Sequence, residues 1–99
     1  MKKKILATHR VCAYYSGRVQ GVGFRYTAER LALALGLVGC VKNLPDGSVE
    51  LIGEGSKEKL ETLLMQIKQS SVGPYIKKVT CEWQRPTQGY TDFCVEFCH

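Results

Sequence analysis

Two stretches of this chain combine residue types that chemistry uses. The first is Gly17-Arg-Val-Gln-Gly-Val-Gly23, followed by Phe24-Arg25. Three glycines in seven residues specify a loop with unusual backbone angles. The loop leaves a strand-like segment and opens a helical one. Backbone N–H groups at a helix start are unpaired and carry the positive end of its dipole. Glycines let such a backbone curl around an anion. Arg25 adds a permanent cation with paired donors suited to phosphate or carboxylate oxygens. The second stretch is Asn43, just ahead of Leu-Pro-Asp-Gly47. Its amide donates and accepts, and so could orient a water molecule. Each has an ordinary structural reading as well. The glycine loop fits a phosphate cradle or a tight turn equally, and Asn before Pro-Asp-Gly is a common turn residue. Tyr26 stands where a dinucleotide fingerprint needs its third glycine, and the Lys-Ser/Thr of a P-loop is missing.

Other reactive types are less well placed. Cys12, Cys40, Cys81, Cys94 and Cys98 include no Cys-x-x-Cys pair, so zinc-ribbon and thioredoxin spacings are excluded. Cys94-x3-Cys98-His99 reads as a terminal strand with a frayed end, and no metal site is expected. The thiols should stay reduced and act as small core hydrophobes. His9 falls in a basic tail and His99 is the last residue, so neither reads as a positioned base. Asp46, Glu50 and Glu54 are explained by a hairpin turn and an exposed strand face, and Trp83 by packing. No Ser/His/Asp or Cys/His set stands out for nucleophilic catalysis.

The elements that would position these groups follow from periodicity. Val11–Ser16 is β-branched and aromatic and reads as a strand. Phe24, Ala28, Leu31, Ala32 and Leu35 mark one face of a helix, which Gly36 stops. Val38–Lys42 and Ser48–Ile52 form a hairpin across the Pro45-Asp-Gly47 turn. Gly53-Glu-Gly55 breaks the strand pattern. Ser56 then caps a second amphipathic helix carrying Leu60, Leu63, Leu64 and Ile67. Ile76–Gln84 is a fourth strand and Phe93–Phe97 a last one. The order β-α-β-β-α-β, with a short extra C-terminal strand, specifies an α+β fold. It is the ferredoxin-like two-layer sandwich, an antiparallel sheet with two helices on one face.

Composition bounds the function. Ninety-nine residues with 44% apolar and 23% charged content make one ordinary domain. Residues 1–10 read as a basic, flexible tail and 11–99 as the domain. No apolar run approaches the ~20 residues of a membrane span. Ile5-Leu6-Ala7 is too short for a secretory h-region, which places the protein in the cytoplasm. The net charge is +5, yet Lys2, Lys3, Lys4 and Arg10 lie in the acid-free first ten residues. The rest holds 10 basic against 9 acidic residues, so the fold lacks the basic face of a nucleic-acid binder.

Taken together, the two stretches resemble a known family. Gly17-Arg-Val-Gln-Gly-Val-Gly-Phe-Arg25 is similar to the first signature of the acylphosphatases. Gly36-Leu-Val-Gly-Cys-Val-Lys-Asn-Leu-Pro-Asp-Gly-Ser-Val49 is similar to their second, in the same order and at about the same spacing. The resemblance runs from Val11 to Phe97. It implies a ferredoxin-like sandwich that hydrolyses acyl phosphates, with a small-molecule substrate and no metal, cofactor or phosphoenzyme. It also implies that Arg25 binds the phosphate and Asn43 orients the attacking water. The backbone amides of Val19, Gln20, Gly21, Val22, Gly23 and Phe24 would hold phosphoryl oxygens. A monomer free of nucleic-acid and membrane partners is expected. The alternative is a non-catalytic phosphate-binding or regulatory module on the same fold. Where the family usually has an aromatic after Gly39, this chain has Cys40, leaving space for a neighbour to fill.

Overall fold

Apolar residues at every second position make one face of a strand, and those at every third or fourth make one face of a helix. In the computed structural model, which describes residues 6–96, these patterns become β1 (His9–Gly17), α1 (Phe24–Ala34), β2 (Val38–Asn43), β3 (Val49–Gly55), α2 (Lys57–Gln69), β4 (Ile76–Gln84) and β5 (Phe93–Glu96). A single 3-10 turn, Gly73–Tyr75, joins α2 to β4. The strand order is β4-β1-β3-β2-β5. No helix among the described residues is long and apolar enough to cross a membrane.

Val11, Ala13 and Tyr15 of β1, Val41 of β2, and Val49 and Leu51 of β3 form the inner face of the sheet. Against it lie Phe24, Ala28 and Ala32 of α1 and Leu60, Leu63 and Ile67 of α2. All are buried, and this single core fixes both helices on one side of the sheet. The Tyr15 and Phe24 rings meet at 4.7 Å, which ties the start of α1 to β1. Ser56 caps α2 as expected, its hydroxyl accepting from the Lys59 N–H at 3.2 Å.

The sheet departs from the sequence reading in three places. The β1–β4, β1–β3 and β2–β3 pairs are antiparallel, but β5 runs parallel to β2 and makes the sheet mixed. The reason is geometric. β4 ends at the same end of the sheet where β2 begins, so a chain that crosses from there to the β2 edge must run parallel to β2. Second, Gly53-Glu-Gly55 does not end β3, which continues through Gly55 and pairs with β1 up to His9. The bare backbone there makes room for helix packing: a Cβ on Gly53 would sit 2.8 Å from Leu60 Cδ2. Third, His9 and Arg10 belong to β1 and not to the tail. Lys2, Lys3, Lys4, Phe97, Cys98 and His99 lie outside the described residues.

Glu54 also corrects the sequence reading. It is only 1% exposed, not part of an open face. Its carboxylate accepts from Arg10 Nη1 at 2.9 Å, from Thr87 N and Oγ1 at 2.9 Å each, and from Gln88 N at 3.0 Å. Burial opposes its ionisation, but these donors outweigh that and hold its pKa below the ordinary carboxylate value. Glu54 therefore anchors the crossing from β4 to β5. On the same face the Tyr90 hydroxyl lies 3.8 Å from Cys40 Sγ, filling the space left by the missing aromatic. Burial pushes the Cys40 thiol up to about 11. Cys12 and Cys40 are buried as expected, whereas Cys81 and Cys94 are exposed on the two edge strands. Trp83 is 41% exposed and is not a core residue.

Candidate active site

The strand directions decide where the site forms. β1, β2 and β5 all finish at one end of the sheet, where β3 begins. The glycine loop after β1, the turn after β2 and the end of β5 therefore converge. Between them lies a cleft of about 580 Å³ lined by Val19, Gly21, Gly23, Phe24, Arg25, Tyr26, Glu29, Asn43, Cys94 and Val95.

The loop is built to present its backbone. Gly21 and Gly23 have φ of 79° and 84°, in the left-handed region that glycine enters without strain. A Cβ at either position would meet only open space, so it is the backbone angle and not crowding that calls for glycine there. Gly23 caps α1 with no side-chain hydrogen bond, and the first helical turn holds no acid. The positive end of the helix is thus uncompensated within its first turn, the nearest cleft carboxylate being Glu29 one turn on. The loop closes as a turn over residues 20–23 just ahead of the helix, and Gly23 O accepts from Thr27 N at 3.0 Å. Arg18 N donates to Tyr75 O at 3.0 Å, and buried Val19 roots the loop in the core.

Around this cradle, Arg25 is held by a backbone carbonyl and Asn43 by its place at a strand end. Arg25 leaves the first turn of α1, and its Nη1 donates to the Glu96 carbonyl at 3.2 Å. Asn43 is the last residue of β2, paired with Val49 at the mouth of the hairpin. The turn beyond it is closed by hydrogen bonds of its own. Leu44 N donates to Ser48 O at 2.8 Å, and Asp46 Oδ1 accepts from Ser48 N at 2.9 Å and Ser48 Oγ at 2.6 Å.

Arg25, Asn43, Val19, Gly21, Gly23 and Phe24, all selected from the sequence, line one cleft. Gln20 and Val22, also selected from the sequence, are not among the residues that line it. Gln20 turns to the hairpin and Val22 packs on the core. Four cleft residues were not selected as site residues from the sequence: Tyr26, Glu29, Cys94 and Val95. Glu29 lies one helical turn beyond Arg25, so its spacing was the available signal. Cys94 and Val95 had none, because only the parallel placement of β5 brings them there. Among the described residues, no three His, Cys, Asp or Glu side chains are grouped to hold a metal ion.

Residues 11–95 match the family model described as Acylphosphatase. The chain belongs to the acylphosphatase family. It is 47% identical over 74 residues to an acylphosphatase of Thermus thermophilus, covering 75% of this chain and 84% of that one. With an acylphosphatase of Acidothermus cellulolyticus it shares 41% identity over 87 residues, covering 85% and 83%. The crystal structure of acylphosphatase from Bacillus subtilis superposes with a TM-score of 0.81 at 32% identity, over 89% of this chain and 98% of that one. The acylphosphatase fold is thus the α+β sandwich read from the element order, with β5 as its parallel edge.

Proposed function

We propose that Arg25, Asn43 and the amides of the glycine loop carry the acyl phosphate hydrolysis that family membership assigns to this chain. The observation that supports this most directly is their convergence: Arg25, Asn43 and the loop residues Val19, Gly21, Gly23 and Phe24 line one cleft. The phosphoryl group sits in the loop, its oxygens on the N–H groups of Val19 to Phe24 and on Arg25. Asn43 holds a water in line with the bond to the acyl oxygen. The water oxygen bonds to phosphorus as the P–O bond to the acyl group breaks. That electron pair leaves on the carboxylate, and the water proton passes to a phosphoryl oxygen. Products are a carboxylate and inorganic phosphate.

The protein's task in this scheme is positioning and charge stabilisation. Negative charge spreads over the phosphoryl oxygens in the transition state, where fixed N–H donors and a guanidinium interact most strongly. A carboxylate is a good leaving group, so no strong acid is needed. No metal enters the scheme. A monomer that acts on a small-molecule acyl phosphate in the cytoplasm completes this reading.

The test is hydrolysis of benzoyl phosphate in excess chelator, with inorganic phosphate as inhibitor. Arg25→Ala should weaken phosphate inhibition and lower kcat/KM by about 10²-fold or more. Asn43→Ala should lower kcat by a similar factor while phosphate inhibition persists. Phosphate binding without turnover in the wild type would instead make the cleft a recognition site.

A further inference from the structure

The side chain of Gln20 stands apart from its loop. Its neighbours in the loop offer backbone to the cleft, whereas Gln20 reaches across to the β2–β3 turn. Nε2 donates to Leu44 O at 2.8 Å and to Ser48 O at 2.9 Å. One amide group thus uses both of its hydrogens on the two carbonyls that close the turn. The same carbonyls are already engaged inside the turn, Leu44 O by Gly47 N at 3.1 Å and Ser48 O by Leu44 N at 2.8 Å. Gln20 therefore grips a turn already closed by its own hydrogen bonds, and Asn43 precedes that turn directly.

Resting on the roles given above to Asn43 and the loop amides, we propose that Gln20 is a positioning residue that sets the placement of Asn43 relative to the phosphate cradle. The loop and the hairpin are separate elements, 24 and 28 residues apart at these two contacts. Two hydrogen bonds from one planar group fix both distance and orientation between them. In-line attack is sensitive to such placement, where an error of ~1 Å can cost about 10²-fold in rate. The backbone N–H of Gln20 belongs to the cradle, but its side chain does not touch the cleft. The two functions of this residue are therefore separable by substitution.

Gln20→Met removes the donors, keeps the length of the side chain, adds no charge and leaves the backbone amide in place. With benzoyl phosphate as substrate, it should lower kcat by about tenfold. Inhibition by inorganic phosphate should change by less than about twofold. In an Asn43→Ala background the same substitution should cost nothing further, because the group it positions is gone. Gln20→Ala should reproduce this pattern, and the side chain is exposed, so thermal melting should show both variants folded. Three outcomes overturn the proposal: an unchanged kcat, a loss carried by phosphate affinity, or a further loss on top of Asn43→Ala. An Asn43→Ala enzyme with full activity would instead remove the role given to Asn43, a failure visible before Gln20 is altered.

Discussion

At the scale of single residues, the cleft contrasts one cation with one carboxylate. Arg25 and Glu29 lie one turn apart on α1, and both line the cleft. Glu29 is the only Asp or Glu among the described residues of the lining, so it alone could compete for the part of a general base. The scheme above passes the water proton to a phosphoryl oxygen and leaves Glu29 without that task. A working general base contributes about 10²–10⁴-fold. Glu29→Gln should therefore keep kcat for benzoyl phosphate within about threefold of wild type. A loss of 10²-fold or more, with an acidic limb removed from the pH profile, would make Glu29 the base.

At the scale of elements, the two ends of the sheet have different duties. One end carries the cleft. The other carries Glu54, which joins β3 to β1 through Arg10 and to the β4–β5 crossing through Thr87 and Gln88. Glu54→Gln weakens those contacts and should cost about 1–3 kcal/mol of stability at neutral pH. Because the folded-state pKa of Glu54 is depressed, its contribution is fully present above the unfolded carboxylate value of ~4.3. It is lost as pH falls through the lower folded value. The melting temperature of the wild type should thus drop more steeply below about pH 4 than that of Glu54→Gln. Benzoyl phosphate kinetics at neutral pH should be the same for both, since Glu54 does not line the cleft. Unequal kinetics would show that the two ends communicate.

At the scale of the whole molecule, the sequence was legible wherever the signal was local. Turn chemistry at Pro45-Asp-Gly47, the cap at Ser56 and the helical spacing from Phe24 and from Leu60 each depend on residues a few positions apart. They appear in the structure as read. What the sequence hid depends on partners far along the chain. Glu54 looks like a surface acid until Thr87 and Gln88 are folded over it, 33 and 34 residues away. The parallel course of β5 follows from where β4 ends, which no window of sequence contains. The grip of Gln20 on the hairpin is likewise invisible until loop and turn meet. Arg25 and Asn43 were singled out because two long signatures in register carry more information than either loop alone. The most direct test of the account is to hydrolyse benzoyl phosphate in ¹⁸O-labelled water with excess chelator and to locate the label. An Asn43-aligned water attacking phosphorus predicts turnover with the label in inorganic phosphate. Label in benzoate, or no turnover above the rate in buffer, would contradict it.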